Sequence, residues 1–371
     1  MLPEELHQVT YHLNIHNAMP PSIDKPVATS PIDKPVALVI GASRGIGRQV
    51  AIDLAKKGYA VVVSAKSTTP PSALKSLSPF PPDPNSSLST ITTVAHEINT
   101  LHHGCTALAI PCDTSDPTGT SLKDLIAATI KAYGHLDVLV YNSGAIWWSS
   151  VSGTPLKRYQ IMQRVNADGL YAAVQFSLPY LHESTYGGRI VVVCPPIYSR
   201  FFRGKTAYAM GKVGMSVLVK GLAMDFVREG VVATKTATGE GDGVVTRKGG
   251  MAITGIWPAV AIESAATAKQ MKETPKHELR RDLRKATIFS DAILGILNAP
   301  AEKVNGELLL DEDFLRDSCG VTDFEKYSCV EGSRPRRIMP RKLPDLTVEE
   351  QDDEGVRYDS AAARRKGGAK L

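Results

Sequence analysis

The sequence predicts an α/β fold in which about seven parallel strands form a doubly wound sheet with helices on both faces. Short apolar runs such as Ala60-Val-Val-Val63 alternate with longer helical segments, a pattern typical of strands that are covered on both faces. The first run, Pro35 to Ile40, leads into a glycine turn, Gly41 to Gly47, and then into a helix, Arg48 to Lys57. This order of strand, glycine turn and helix is typical of a Rossmann-type sheet.

The remaining elements follow from the same alternation. Strands are predicted at 60–63, 106–110, 136–141, 189–193, 252–257 and 306–310, and helices at 91–103, 121–133, 155–181, 206–228 and 286–297. We expect three parts: a flexible leader over 1–33, one domain over 34–331 with irregular insertions near 69–90 and 233–250, and a disordered charged tail over 332–371.

The composition argues against several classes of function. The chain has 371 residues, is 43% hydrophobic and 22% charged, and carries a net charge of +5, which suits a soluble enzyme and gives no case for nucleic-acid binding. No apolar run is long enough for a membrane span. The cysteines are scattered without metal-site spacing, so we expect free thiols, a reducing compartment and no metal.

The glycine turn suits the diphosphate of a dinucleotide. Gly41 permits the sharp turn, Gly45 lets backbone N–H groups approach the phosphates, and Gly47 permits close packing of helix on strand. The helix N-terminus adds a partial positive charge. An ordinary tight turn would explain the glycines equally well on their own, so the decision rests on motifs further along the chain.

Tyr208 and Lys212 lie four residues apart on one predicted helix, so their side chains share a face. Pairs of this kind also occur by chance on helix surfaces, but this helix follows a strand of the predicted sheet, at the edge where such folds bind ligands. A phenol with a pKa of about 10 exchanges protons poorly at neutral pH unless a cation stabilises the phenolate. Lys212 would be that cation, and Tyr208 a general acid or base.

Four motifs in this order resemble the short-chain dehydrogenase/reductase family over roughly residues 34–312: the glycine turn, Tyr141-Asn-Ser-Gly144, Asn166 and Tyr208-x-x-x-Lys212. Four further segments resemble one branch of that family, the hydroxysteroid dehydrogenase-like proteins. They are Ser64-Ala-Lys66, Cys194-Pro-Pro196, Trp257-Pro258 and Leu310-Asp-Glu-Asp313. That branch carries a sterol-carrier domain after the reductase, for which we expect no room here.

The resemblance implies roles for individual residues. Tyr208 would be the general acid/base, Lys212 would also bond the nicotinamide ribose, and Asn166 would hold a water that relays protons to Lys212. Asn142 and Gly144 would pack beside the cofactor, and Asp113 would contact its adenine. The remaining cofactor contacts would come from the turn and from the end of the second strand: Gly41, Ser43, Arg44, Gly45, Ile46, Gly47 and Lys66.

The chain departs from the family pattern in two places. The usual catalytic serine falls at Pro195, with Cys194 before it, and a thiol is a much weaker donor to a carbonyl than a hydroxyl. Ser143, Ser149 and Ser199 are possible replacements, and the sequence favours none of them. After the sixth strand the family's Pro-Gly is replaced by Pro258-Ala259, so the nicotinamide carboxamide has no clear partner.

Charge indicates the cofactor. The end of the second strand holds Lys66 where an acidic residue would select NAD(H), and Arg44 projects from the glycine turn. Two cations without a carboxylate favour NADP(H). We therefore expect an NADP(H)-dependent oxidoreductase that interconverts a carbonyl and a secondary alcohol. The alternative is an NADP(H)-binding protein with little turnover, which the missing serine motivates.

The last three residues, Ala369-Lys370-Leu371, match a peroxisomal address of the Ser-Lys-Leu type. We therefore expect an import receptor as a partner and a peroxisomal location, or failing that a cytoplasmic or mitochondrial one. A peroxisomal location favours a lipid or fatty-acyl carbonyl as the small-molecule substrate. The predicted helices 155–181 and 206–228 resemble the family's four-helix interface, which suggests a homodimer or homotetramer.

Overall fold

The computed structural model describes residues 32–232, 249–270 and 275–348. Its strands are β1 (Val36–Ile40), β2 (Ala60–Ala65), β3 (Thr106–Pro111), β4 (Val138–Tyr141), β5 (Arg189–Val193), β6 (Ala252–Trp257) and β7 (Leu308–Leu310). They form a seven-stranded sheet in the order β3-β2-β1-β4-β5-β6-β7, and every neighbouring pair is parallel. The predicted fold class is confirmed.

The helices lie between the strands along the chain. They are α1 (Gly45–Lys56), α2 (Pro71–Leu74), α3 (Ile91–Leu101), α4 (Thr120–Tyr133), α5 (Leu156–Gln163), α6 (Gly169–His182), α7 (Thr206–Arg228), α8 (Ala265–Gln270), α9 (Lys276–Arg281), α10 (Thr287–Asn298), α11 (Ala301–Val304) and α12 (Asp311–Asp317). Helix α1 packs against α3 and α10, whereas α4 packs against α6. Every residue of β1, β4 and β5 is buried, because helices cover both faces of the sheet.

The order in which strands are added to the sheet reverses between β1 and β4: β2 and β3 lie on one side of β1, and β4 to β7 lie on the other. Strand β1 pairs with β2 on one side and with β4 on the other, so the segments that follow β1 and β4 diverge and leave a crevice at their carboxyl ends. Such a crevice is where doubly wound sheets bind ligands. The glycine turn and Asn142 both lie there, and the backbone N–H of Asn142 donates to the Ile40 carbonyl at 2.9 Å.

The long helix predicted at 155–181 is interrupted. A π-helical turn, Arg164–Asp168, separates α5 from α6 and holds Asn166. The hydroxyl of Tyr141 donates to the Val165 carbonyl, which compensates for the irregular hydrogen bonding of the turn. The apolar spacing of the segment predicts one continuous helix here, and the π-helical turn was not recognised from it.

The C-terminal boundary of the domain also differs from the prediction. The first compact unit extends to Pro340, nine residues beyond the expected end at 331. Arg337 forms an ion pair with Asp313 at 2.7 Å, the Ile338 amide donates to the Ala259 carbonyl at 2.9 Å, and Met339 is buried. The sequence around Arg337 does not show whether this arginine is paired with a distant residue or exposed to solvent. The described residues 341–348 lie outside this unit.

Several predicted features lie outside the described residues. These are most of the leader, residues 233–248 of the glycine-rich insertion, and the C-terminal tripeptide. The insertion near 69–90 is described, and apart from the single short helix α2 it is irregular, as its proline and serine content indicates.

Candidate active site

The glycine turn is folded so tightly that side chains would not fit at two of its positions. A Cβ atom at Gly47 would lie 2.2 Å from the Gly41 carbonyl oxygen and 2.6 Å from the side-chain nitrogen of Asn142. A Cβ atom at Gly41, whose φ is +89°, would lie 2.7 Å from the backbone nitrogen of Ser143. The Asn142 side chain also donates to the Gly41 carbonyl at 2.9 Å, so it fastens the turn to the end of β4.

The first turn of α1 offers free backbone donors. The Gly45 amide donates to the Pro84 carbonyl at 2.9 Å, whereas the amides of Ile46 and Gly47 have no partner within the described residues. Arg44, just before the helix, is half-buried, and its side chain forms no ion pair with any described residue. Two free amides, a helix N-terminus and a cation fit the diphosphate of a dinucleotide.

The insertion near 69–90 packs on this turn, which the sequence did not indicate. The Ser89 hydroxyl is buried and donates to the Ser43 carbonyl at 2.7 Å, beside the bond between Gly45 and Pro84. Asn85 reaches the same place: its side-chain oxygen lies 3.4 Å from where a Gly45 Cβ atom would be, and it has no hydrogen-bond partner. Ser264, from the loop after β6, approaches the same position to 3.6 Å.

Lys66 and Asp113 are brought together at the ends of β2 and β3. The Lys66 ammonium lies 2.5 Å from a carboxylate oxygen of Asp113. Hydrogen bonds from Lys66 and then from Ser115 lower the pKa of the Asp113 carboxyl to about 2. Lys66 is therefore not the unpaired cation that the sequence suggested, and Arg44 is the cation of the two that no described carboxylate neutralises.

Asn166, Lys212 and Gly144 meet below the crevice. Asn166 is 0% exposed and exchanges two hydrogen bonds with the backbone of Ala145, accepting from its amide at 3.0 Å and donating to its carbonyl at 3.1 Å. A Cβ atom at Gly144 would lie 3.4 Å from both the Asn166 side-chain oxygen and the Lys212 ammonium. These three predicted site residues are therefore in one cluster.

Helix α7 brings Tyr208 and Lys212 to this cluster. The two side chains are 2% and 3% exposed, and the Lys212 ammonium donates to the Val193 carbonyl at the end of β5, at 2.8 Å. Close packing requires Gly211 between them, since a Cβ atom there would lie 3.2 Å from the Cβ atom of Asn166. The helix spacing thus delivers both residues as predicted.

Burial dominates the proton affinities of the pair. It lowers the pKa of Lys212 to about 8 and raises the pKa of Tyr208 above its ordinary value. We expected Lys212 to lower the pKa of Tyr208. In the structure, desolvation raises the pKa of the phenol, and the Lys212 ammonium donates to the Val193 carbonyl.

Aromatic rings surround Tyr208. The rings of Trp148 and Phe201 lie 6.1 Å and 6.4 Å from the Tyr208 ring, centre to centre, and Trp257 lies 5.9 Å from Phe201. The Lys212 ammonium is 5.5 Å from the centre of the Trp257 ring. The sequence marked Trp257 only as part of a resemblance, and nothing in the spacing of Trp148 and Phe201 indicated that they would meet.

The structure does not supply a catalytic serine at the expected place. Cys194 is fully buried, burial raises its pKa to about 11, and its sulfur lies 2.8 Å from where a Cβ atom of Gly255 would be, so it packs against β6. Ser143 lies at the glycine turn, the Ser149 hydroxyl faces Gly153, and Ser199 is exposed. None of the three hydroxyls bonds to Tyr208 in the part of the chain that the structure describes.

Among the described residues, no three or more His, Cys, Asp or Glu side chains are grouped as metal ligands would be. No helix within the same ranges combines the length and the apolar character that crossing a membrane requires.

Known proteins are similar to this chain in sequence and in fold. The model of the short chain dehydrogenase family matches residues 35–78 and 85–248, and the gap falls in the insertion that packs on Gly45. A crystal structure of a short chain dehydrogenase from Mycobacterium thermoresistibile is 29% identical, with a TM-score of 0.64, and the match covers 86% of this chain and 97% of that one.

Curated relatives are longer than this chain. Hydroxysteroid dehydrogenase-like protein 2 from Danio rerio is 29% identical over 322 residues, which cover 86% of this chain and 65% of the relative. The human protein of that name is 30% identical over 296 residues, which cover 79% of this chain and 60% of the relative. The chain thus spans less than two thirds of either relative. With the family model matching more than half of its length, the chain belongs to the short chain dehydrogenase family, oxidoreductases that use nicotinamide cofactors.

Proposed function

We propose that the protein is an NADP(H)-dependent oxidoreductase that interconverts a carbonyl and a secondary alcohol. The observation that carries this proposal is the meeting of Asn166 and Lys212 beside Gly144, with Tyr208 buried one turn before Lys212 on α7. The crevice at the ends of β1 and β4 holds a glycine turn with free amides. Proton-exchanging groups and a dinucleotide site therefore adjoin each other, as hydride transfer requires.

The chain's own residues would handle the proton. Tyr208 is protonated at neutral pH, like an ordinary tyrosine, and burial raises its pKa further. It would donate to the carbonyl oxygen during reduction and accept the proton back during oxidation. Lys212, with a pKa of about 8, is suited to replace that proton. Asn166 would hold the water that connects Lys212 to solvent. The nicotinamide, when bound, supplies or accepts the hydride.

The charge around the glycine turn supports NADP(H). Arg44 has no carboxylate partner among the described residues and would face the 2'-phosphate, while Lys66 adds a cation that Asp113 partly neutralises. Gly41, Ser43, Gly45, Ile46 and Gly47 would line the diphosphate. Asp113 would contact the adenine, and Asn142 and Gly144 would pack beside the two halves of the cofactor.

The test is Tyr208→Phe. The substitution keeps the ring packing and removes only the proton, so turnover of a reactive carbonyl should fall by about 10³-fold or more while NADPH binding stays within about threefold. Stopped-flow absorbance of NADPH measures the first, and fluorescence titration of NADPH the second. Undiminished turnover in the Phe variant would remove Tyr208 from the chemistry.

One observation favours a second candidate, an NADP(H)-binding protein with little turnover. Cys194 is buried and no described serine hydroxyl bonds to Tyr208, so the substrate carbonyl lacks its usual second donor. A missing donor of this kind costs about 10² to 10³ in rate. Tight NADPH binding without turnover across a panel of aldehydes and ketones would favour this candidate.

The substrate and location are proposed together. The tripeptide Ala369-Lys370-Leu371 would be read by a peroxisomal import receptor, and a lipid or fatty-acyl carbonyl would then be the substrate. A fluorescent protein fused to the N-terminus should give punctate signal that deletion of Leu371 abolishes. Diffuse signal from the intact chain would refute the peroxisomal address.

A homodimer or homotetramer is proposed from the surface of α6 and α7. Large apolar side chains are exposed on both helices, among them Tyr171, Met210, Val217 and Met224. An apolar face of this kind is typical of an interface. Val217→Glu should shift the mass measured by light scattering to that of a smaller species.

A further inference from the structure

Lys205 occupies an unusual position beside Tyr208. Its ammonium lies 4.0 Å from the centre of the Phe201 ring and 5.0 Å from that of Trp148. Both rings contact the ring of Tyr208. Lys205 directly precedes α7, three residues before Tyr208, so one helical turn separates the two. It is not part of the cluster of Asn166 and Lys212.

The charge of Lys205 is not balanced within the described residues. The side chain is half-buried, yet its ammonium has neither a carboxylate nor a hydrogen-bond acceptor there. Three other shielded cations are paired with carboxylates: Arg48 with Glu97, Arg284 with Glu312, and Arg337 with Asp313. Lys212 and Arg189 are buried without a described carboxylate, but each donates to a backbone carbonyl. Partial burial lowers the pKa of Lys205 because it disfavours the charged form. The two rings offset only part of that penalty, and an anionic ligand would offset more.

The segments around Lys205 share its charge. Residues 138–167 and 184–224 contain no Asp or Glu, and their cations include Arg158, Arg200, Arg203 and Lys205. The Arg158 guanidinium lies 5.0 Å from the centre of the Trp147 ring and, like Lys205, has no carboxylate partner in the described ranges. These two segments, which hold the residues next to Tyr208, therefore carry only positive charges.

The same two segments expose large apolar side chains. Ile146, Trp147, Trp148, Val151 and Phe202 are large and exposed, and the ring of Trp148 contacts that of Tyr208. Large apolar side chains exposed beside a candidate catalytic residue are typical of a binding site. A ligand with an apolar chain and one negatively charged group would match both the tryptophan rings and the cations above them.

We propose that Lys205 binds an anionic group of the substrate, a carboxylate or a phosphate ester, while the substrate's apolar chain lies on Trp147 and Trp148. The proposal rests on the proposed function, since it places the reacting carbonyl at Tyr208. Lys205 sets specificity and takes no part in proton transfer. The preferred substrates are then anionic amphipaths, and neutral ketones of the same length bind weakly.

The chain's three tryptophans provide a direct test. Trp147, Trp148 and Trp257 all lie around this site, so intrinsic fluorescence reports ligands bound there. The ligands are decanoate, decyl phosphate and decanol, titrated without cofactor. The wild-type protein should bind one or both anions at least about tenfold more tightly than decanol, and the comparison of the two anions identifies which group is preferred.

Variants assign the preference to Lys205. Lys205→Met should abolish it, Lys205→Arg should retain most of it, and Lys123→Met, a matched change on the exposed face of α4, should leave it unchanged. Circular dichroism confirms folding. If the Met variant fails to fold, the wild-type preference should still shrink as NaCl is raised. Equal binding of anions and decanol by the wild type, or a preference that survives Lys205→Met, would overturn the proposal.

Turnover separates this inference from the proposed function. Lys205→Met should raise the KM for an oxo-decanoate by about tenfold or more and leave kcat/KM for the matching methyl ester within about twofold. Loss of turnover on every substrate would instead show a catalytic role for Lys205 and overturn its assignment to specificity. If Tyr208→Phe retained activity, the proposed chemistry would fail, while the fluorescence result for Lys205 would be unaffected.

Discussion

Tyr208 and Lys212 are affected in opposite ways by the same burial. Desolvation disfavours the phenolate and the ammonium alike, so it raises the pKa of Tyr208 and lowers that of Lys212 to about 8. Tyr208 therefore begins as a proton donor at neutral pH. Lys212 can release a proton in the same range, whereas an ordinary lysine would hold it.

This asymmetry predicts different pH profiles for the two directions of the reaction. Carbonyl reduction uses the protonated phenol, so its rate should change little between about pH 6 and 8. Alcohol oxidation needs the phenolate, so its rate should rise by up to about tenfold per pH unit over that range. Initial rates in both directions across this range test it. An oxidation rate that is already level at pH 7 would show that Tyr208 ionises far more easily than its burial implies.

Arg44 is the residue on which cofactor choice should depend. Its side chain has no ion-pair partner among the described residues, whereas Lys66 is paired with Asp113. Arg44→Ala should weaken NADPH binding by about tenfold or more and NADH binding by less than about threefold. Adding Lys66→Asp should reverse the preference, because a carboxylate would then meet the ribose 2'-hydroxyl.

Fluorescence titrations with NADPH and with NADH measure the cofactor preference of each variant. Lys66→Ala serves as the comparison and should have a smaller effect than Arg44→Ala. If the double variant still prefers NADPH by the original ratio, the 2'-phosphate is bound elsewhere.

At the scale of elements, the sequence predicted what depends on local pattern. The buried strands were recognisable as apolar runs, and α7 was predicted at the bounds it has, Thr206–Arg228, with its tyrosine and lysine on one face. The contact of the insertion with the glycine turn could not be predicted. It joins the Ser89 hydroxyl to the Ser43 carbonyl across 46 positions, and no local pattern shows which backbone carbonyl a distant serine will meet. The pairing of Lys66 with Asp113 is also between residues that are far apart in the sequence, so no local pattern indicated it.

The insertion should stabilise the cofactor site. Ser89→Ala removes the buried bond to the Ser43 carbonyl and should weaken NADPH binding by about three- to tenfold, because an unpaired buried carbonyl loosens the turn. Ser76→Ala is the matched control: its hydroxyl bonds to the Ala73 carbonyl in the same insertion but is exposed. Isothermal titration with NADPH measures both. Equal affinities in the two variants would show that the insertion merely covers the turn.

At the scale of the whole molecule, residues 332–340 belong to the first compact unit. A chain that ends at Glu331 would lose the ion pair of Arg337 with Asp313 and the burial of Met339. We expect it to be destabilised by about 2–3 kcal/mol, while a chain that ends at Pro340 should match the full chain. Calorimetry of the two truncated chains measures this difference in stability. Equal melting temperatures would show that residues 332–340 do not stabilise the domain.

The π-helical turn at Arg164–Asp168 has a consequence for how this protein can change in length. Such a turn is one residue longer than the α-helical turn it replaces, so deleting a residue there would let α5 and α6 join as one regular helix. The deletion would also rotate Asn166 by about 100° relative to one of the two helices, away from Ala145 and Lys212. A shorter chain would gain helix stability and lose the active-site geometry. Selection for heat resistance alone would therefore act against activity at this one position.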